Sequence, residues 1–229
     1  MIKHKVAVLT GAASGMTREC ARLLAKKMTV AIWDRDGDAA EEAAAQIRAI
    51  GGEAAAWRVD VSDRSSEFTA ATAVNERFGR IDVLVTGAGF VQYVDFLLMT
   101  EEQWDRMIDV HLKGTFLCTQ AVLPSMQDHG YGRIVCISSV GGMNGAARHS
   151  HYGAAKAGVI GFCKALCKEI GPYGITINAI APGAIETHFG LMRQVKRSPV
   201  WPILLSAILA NRPTSRMLWA SSRPRRLDS

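Results

Sequence analysis

The sequence lacks the features that define several protein classes. Its five cysteines are odd in number and form no CxxC pair, which argues against a disulfide framework or a zinc site. We therefore predict reduced thiols and no bound metal. The longest late apolar stretch, Val200 to Ala210, is too short to cross a bilayer, and the start of the chain shows no signal peptide. These absences predict a cytoplasmic protein with no membrane partner.

Acidic residues are scarce near the end of the chain. Residues 193–229 contain eight Lys or Arg and one acid, Asp228, whereas the other residues carry 19 basic and 20 acidic groups. A nucleic-acid-binding domain normally spreads its basic residues over a structured face. We therefore expect no nucleic-acid partner. DNA binding by the basic tail is the alternative, and it predicts strong salt dependence.

Apolar runs alternate with helical patterns through most of the chain. The runs are continuously apolar, which is typical of parallel strands buried on both faces of a sheet. We predict one α/β domain, a Rossmann-like doubly wound parallel sheet, with ligands beyond the carboxyl ends of its strands. The predicted strands are 5–10, 29–33, 54–59, 81–85, 133–138 and 175–180.

A glycine-containing turn follows the first predicted strand. Glycines there let backbone N–H groups approach a pyrophosphate at the positive end of the next helix. A turn that needs glycine only for its conformation is the alternative. The candidate cofactor-binding residues in this turn are Gly11, Ser14, Gly15 and Met16.

The second predicted strand ends at Asp34. Its carboxylate can accept hydrogen bonds from the adenosine ribose hydroxyls and repels a 2′-phosphate, which favours NAD over NADP. The guanidinium of Arg35 could pair with that phosphate and so argues the other way. The next two strand ends add further cofactor candidates, with loop capping or an ordinary turn as alternatives: Asp60, Val61, Ala88 and Gly89.

A serine and a Tyr–Lys pair suggest the chemistry. Ser139 lies just past the fifth strand, while Tyr152 and Lys156 are one turn apart on a predicted helix and share a face. We expect the ammonium to lower the tyrosine pKa from about 10 towards working pH. Such a phenol can give a proton to a carbonyl oxygen or take one from an alcohol.

The chain resembles the short-chain dehydrogenase/reductase superfamily, and it is most similar to the 3-oxoacyl-carrier-protein reductases and related secondary-alcohol dehydrogenases. The resemblance covers residues 5 to about 190. It is carried by TGAASG, Asp34, DVSD, TGAG, DVHLKGTF, GRIVCISSVGG, YGAAK and INAIAPGAIET.

This resemblance implies roles for individual residues. Ser139 would orient the substrate oxygen, Tyr152 would be the general acid/base, and Lys156 would hold the nicotinamide ribose. It also implies a small carbonyl or alcohol substrate, possibly an acyl thioester, and a homodimer or homotetramer. Residues that would line the nicotinamide end of the cofactor are Pro182, Gly183, Ile185 and Thr187.

Four positions depart from the family pattern. Thr17 replaces the usual third glycine of the turn, and a β-branched side chain there is expected to crowd helix and strand. Thr86 and Gly87 replace two asparagines. His111 stands where an Asn often completes a proton relay, a role that imidazole can also perform. Together with the altered tail, Thr17 and Gly87 motivate the alternative of a catalytically impaired dinucleotide-binding remnant.

The segment after about residue 190 departs further. We assign residues 1–190 to the dinucleotide-binding domain and residues 191–229 to an aberrant basic tail that lacks the family's last strand. Codons for Leu209 to Ser222, read two bases later, permit the family-like segment PGEPTDVADAVGFLA. We therefore predict a frameshift between roughly residues 187 and 208, which the gene sequence tests.

Overall fold

The computed structural model describes residues 5–183, positions 202, 206 and 208, and the backbone of 218–220. The assigned tail therefore lies largely outside the described residues, as do Ile185 and Thr187. The frameshift hypothesis concerns the same region. Within the described residues, no helix is long and apolar enough to cross a membrane.

The strands form one parallel sheet in the order β3-β2-β1-β4-β5-β6-β7. The first six strands match the predicted ones to within two residues at each end. Their bounds are β1 Val6–Thr10, β2 Thr29–Asp34, β3 Ala54–Arg58, β4 Val83–Thr86, β5 Gly132–Ile137 and β6 Ile175–Pro182.

The edge beyond β6 is where the family's last strand is predicted to be lacking. A three-residue segment, β7 (Leu218–Ala220), pairs there with β6 through its backbone. It is shorter than each of the other six strands. The edge is therefore reduced to a short strand rather than bare. Backbone pairing of this kind does not require a particular side-chain sequence.

Helices cover both faces of the sheet. They are α1 Gly15–Leu24, α2 Gly37–Ala49, α3 Arg64–Phe78, α4 Glu101–Ile108, α5 Gly114–Asp128, α6 Gly141–Asn144 and α7 Ser150–Ile170. Two apolar cores result. One lies under α1 and α2, and the other lies under α3, α5 and α7.

The predicted helix over 101–126 is interrupted by a π-helical turn, Asp109–Lys113, between α4 and α5. A π turn inserts extra backbone without breaking the helix, so the apolar pattern alone does not reveal it. The turn places His111 in the site. Thr17 is buried within α1, which continues through this position without a break.

Candidate active site

The strand order reverses between β1 and β4, and ligands bind at such a point in open parallel sheets. The turn after β1 lies there. Gly11 and Gly15 have φ values of +63° and +60°, a region that favours glycine. A Cβ at Gly11 would also lie 2.6 Å from the Cα of Ala88. Both glycines are therefore required by conformation, and the first also by the close approach of the β4 loop.

The N-terminus of α1 differs from those of α2, α3 and α4. The latter are capped by the side chains of Asp36, Asp63 and Thr100, and each has an acid in its first turn. Helix α1 has no acid in its first turn, and exposed Ser14 makes no capping hydrogen bond. Its first N–H groups and its positive end therefore suit an anionic group such as a pyrophosphate. Half-buried Met16 lies in the same turn.

Asp34 ends β2 beside this turn. Its carboxylate accepts hydrogen bonds from the amides of Ala13 and Asp36, each at 3.1 Å. The carboxylate therefore connects β2 to the turn. The next residue along the chain is the first of those that line an open cleft of about 720 Å³: Arg35, Asp36, Gly37, Asp38, Arg58, Asp60 and Ser66. The cleft lies beyond the ends of β2 and β3, where the adenosine end of a dinucleotide is expected.

The two candidates after β3 have different surroundings. Asp60 is exposed in the cleft and accepts hydrogen bonds from the amide and hydroxyl of Ser62, which hold the pKa of its carboxyl below the usual range. It therefore caps its own loop, as the alternative interpretation predicted. Val61 is buried, and its Cγ2 is 3.0 Å from where a Cβ at Gly114 would lie. Val61 thus packs the loop against α5.

The loop after β4 is held against β1. The hydroxyl of Thr10 accepts hydrogen bonds from the amides of Gly87 and Ala88, at 3.1 and 3.2 Å. A Cβ at Gly89 would lie 2.2 Å from the imidazole of His111. Ala88 and Gly89 therefore lie where the turn after β1 meets the candidate catalytic residues. Thr10 was not among the predicted site residues, although a polar residue at a strand end is a signal for such a role.

Ser139, Tyr152 and Lys156 come together as predicted. Ser139 Oγ and the Tyr152 ring both lie beside Gly141, at 3.4 and 3.5 Å from where its Cβ would stand, and Ser139 Oγ accepts a hydrogen bond from Gly141 N at 3.0 Å. The Nζ of Lys156 lies 5.8 Å from the centre of the Tyr152 ring. The ammonium is buried and donates to the carbonyl of Ile137 at 2.6 Å. A phenol, a hydroxyl and an ammonium thus converge just beyond β5.

The charges at this site correct one expectation. Burial raises the pKa of Tyr152 above its usual value of 10, while the hydrogen bond with Ser139 opposes that rise. The prediction that Lys156 lowers the tyrosine pKa is therefore wrong for this structure. The ammonium is directed to Ile137 instead, and burial lowers the pKa of Lys156 to about 8. At neutral pH Tyr152 is a phenol, ready to donate a proton.

His111 completes the group. Its Nε2 lies 2.9 Å from the carbonyl oxygen of Phe90, and its ring meets the Tyr152 ring edge-on at 5.4 Å. Burial, with the Lys156 charge as a smaller cause, lowers the pKa of His111 to about 3. A neutral imidazole can hydrogen-bond through both ring nitrogens. Here it anchors the β4 loop beside the tyrosine, and its Nδ1 has no hydrogen-bond partner among the described residues.

Two loops meet beside Tyr152, in a contact that no local sequence pattern signals. The rings of Tyr93 and His149 are in contact, with their centres 4.1 Å apart and their planes tilted by 34°. Arg148 pairs with Asp95 at 2.9 Å, and its carbonyl accepts a hydrogen bond from Val94 N at 3.0 Å. Arg148 has a φ of +62°, which is uncommon for a residue with a side chain. These contacts form one wall next to the tyrosine.

Two of the four residues expected at the nicotinamide end are described. Pro182 ends β6, is buried, and its carbonyl accepts a hydrogen bond from Val140 N at 3.0 Å. Half-buried Gly183 follows it. Both therefore lie at the same edge of the sheet as Ser139. No cluster of three metal-ligating side chains occurs in the parts of the chain that the structure describes.

Comparisons with known proteins agree with this arrangement. A sequence model of the short chain dehydrogenase family matches residues 5–197. The chain is 42% identical over 185 residues to a 3-oxoacyl-[acyl-carrier-protein] reductase of Synechocystis sp., covering 80% of this chain and 75% of the relative. It is 38% identical over 198 residues to a 2-dehydro-3-deoxy-L-rhamnonate dehydrogenase (NAD(+)) of Sphingomonas sp., covering 86% and 77%.

Two solved structures support the same fold. A levodione reductase superposes with a TM-score of 0.78 at 36% identity, covering 82% of this chain and 74% of that one. An NAD⁺-bound xylitol dehydrogenase superposes with a TM-score of 0.79 at 29% identity, covering 82% and 73%.

Proposed function

Because the chain belongs to the short-chain dehydrogenase family of oxidoreductases, we propose that it interconverts a ketone or 3-oxoacyl group and a secondary alcohol, with NAD as its cofactor. The observation that carries this proposal is the convergence of Ser139, Tyr152 and Lys156 at the edge of the sheet that also presents the glycine turn.

The residues around the turn fit a dinucleotide. The uncapped N-terminus of α1 would hold the pyrophosphate, and the cleft beside Asp34 would hold the adenosine. Asp34 disfavours a 2′-phosphate, and this supports NAD over NADP. When bound, the nicotinamide supplies or accepts the hydride at its C4.

The chain itself supplies the proton and the orientation. In the reduction, the Tyr152 hydroxyl donates its proton to the substrate oxygen as the hydride reaches the carbonyl carbon. In the oxidation, the same oxygen takes the proton back. The Ser139 hydroxyl orients the substrate oxygen beside the phenol. The raised pKa of Tyr152 keeps it protonated at neutral pH, which suits the reducing direction.

The alternative is an impaired dinucleotide-binding remnant, motivated by Thr17 and the altered tail. Two measurements separate it from the enzyme. Thermal unfolding is recorded with and without NADH, and NADH oxidation is followed with 3-oxoacyl thioesters, ketones and sugars. We expect NADH to raise the unfolding temperature and at least one carbonyl compound to be reduced. A thermal shift without turnover favours a binding remnant. The absence of both the thermal shift and turnover overturns the proposed function.

A further inference from the structure

Thr17 occupies the space that a side chain at position 87 would need. A Cβ built on Gly87 would lie 2.1 Å from Thr17 Oγ1, 3.1 Å from its Cγ2 and 3.2 Å from its Cβ. Thr17 is 4% exposed. The threonine therefore fills a site that is vacant only because residue 87 is glycine.

Conformation does not explain the glycine. Gly11 and Gly15 have positive φ values, but Gly87 does not, so other residues could adopt its backbone. The neighbour with which its missing side chain would collide is Thr17. The requirement for glycine at position 87 therefore comes from the size of residue 17.

The two residues join loops that already touch. Thr10 accepts hydrogen bonds from the amides of Gly87 and Ala88, and Gly11 packs against the Ala88 backbone. The contact between Thr17 and Gly87 adds a third link between the same loops, from the first turns of α1. Buried side chains in such close contact transmit displacement because protein interiors have few voids.

We infer that Thr17 and Gly87 are a fitted pair that fixes the glycine turn against the β4 loop and thereby positions the dinucleotide. The inference rests on the proposed function for its cofactor. It reverses the expectation that Thr17 crowds the turn and weakens cofactor binding, because Gly87 provides the room.

The Thr17→Ala variant separates the two views. If Thr17 crowds the turn, its replacement by alanine, the better helix former, should tighten NADH binding and raise the unfolding temperature. A fitted pair predicts the opposite, because truncation leaves a cavity beside Gly87. We expect the NADH dissociation constant to rise about threefold or more, with a lower unfolding temperature, which corresponds to loss of a small buried group.

The Gly87→Ala variant and the double variant test the fit directly. Alone, Gly87→Ala places its methyl against Thr17 Oγ1, and we expect NADH binding to weaken about tenfold. Combined with Thr17→Ala, the closest remaining contact is the residue 17 Cβ at 3.2 Å, and most of that loss is expected to be recovered. The KM for NADH should follow the dissociation constant: it should rise in Gly87→Ala and recover in the double variant, with a smaller change in kcat.

Gly161→Ala is the matched control, because it lies on α7 with no atom within 4 Å of an added Cβ. It should leave NADH binding unchanged and raise the unfolding temperature slightly, because alanine is the better helix former. Additive effects of the two substitutions, or tighter binding by Thr17→Ala, overturn the fitted pair. Unfolding without cofactor measures the energetic coupling between Thr17 and Gly87 independently of NADH. Failure of the wild-type chain to bind NADH would refute the proposed function and not the fitted pair.

Discussion

Asp34 accepts a hydrogen bond from the backbone amide of Ala13 at 3.1 Å, so the acidic end of β2 and the glycine turn form one structure. The carboxylate therefore holds the turn. It also places a negative charge next to Arg35, which lines the cleft together with Arg58.

Removing this carboxylate should change cofactor preference. In Asp34→Ala the repulsion of a 2′-phosphate disappears while the two cleft arginines remain, so we expect the ratio of kcat/KM for NADPH to that for NADH to rise about tenfold or more. NADH affinity should also fall, because Ala13 loses its partner. Asp38→Asn removes a charge from the same cleft without touching Ala13 and should have the smaller effect. An unchanged ratio in Asp34→Ala contradicts the assignment.

The lowered pKa of Lys156 leads us to expect a particular pH dependence of the reduction. Burial lowers the pKa of its ammonium to about 8, whereas the Tyr152 phenol has a raised pKa and keeps its proton. If the ammonium is required, kcat/KM for the reduction stays level below pH 8 and falls about tenfold per pH unit above it. Rates from pH 6 to 10 test this. Lys164→Gln on the same helix should leave the profile unchanged, and a rate that stays level to pH 10 refutes the role.

His111 should act through its contact with Phe90 and not by accepting a proton. Since its pKa is lowered to about 3, it is neutral throughout the usual assay range. His111→Asn keeps a hydrogen-bonding side chain, and we expect it to retain most activity with the same pH profile. His111→Ala frees the Phe90 loop and should lower kcat about tenfold or more. Equal loss in both variants, or a lost ionisation between pH 5 and 8, contradicts this interpretation.

Much of the fold and part of the site follow from local sequence patterns. Continuously apolar runs that alternate with helices predict the parallel sheet, and Gly79 predicts the end of α3, where it adopts a left-handed φ of +77°. The grouping of Ser139, Tyr152 and Lys156 also follows, because strand ends and one helix face fix their positions.

Other features depend on distant packing that no local pattern encodes. The raised pKa of Tyr152 and the direction of the Lys156 ammonium follow from burial and from the position of the Ile137 carbonyl. The contact of Thr17 with Gly87 joins two segments far apart in the chain, so each residue read alone resembles a defect. Their complementary sizes become visible only in the folded structure.

The raised pKa of Glu67 should make the stability of the folded chain depend on pH. It is buried on α3, where Cys118 Sγ donates a hydrogen bond to it at 2.6 Å, and burial raises its pKa from 4.5 to about 8. The folded state therefore holds a proton that the unfolded state releases. Its stabilising contribution is full below pH 4.5 and is lost as pH rises to 8, at no more than about 1.4 kcal/mol per pH unit.

Glu67→Gln tests this by denaturant unfolding between pH 5 and 8. The variant should lose that part of the pH dependence and become more stable relative to wild type as pH rises, because the amide needs no proton to be neutral. Glu76→Gln, an exposed position on α3, should leave the slope unchanged. Parallel pH curves for wild type and Glu67→Gln contradict the assignment.

The central claim is that Tyr152 transfers the proton in a nicotinamide-dependent reduction. The most direct test compares wild type and Tyr152→Phe with the best carbonyl substrate found, measuring NADH oxidation and NADH binding on the same samples. We predict that kcat falls by about 10²–10⁴ while the NADH dissociation constant changes little, because phenylalanine keeps the ring and loses only the hydroxyl. Full activity in Tyr152→Phe contradicts the claim.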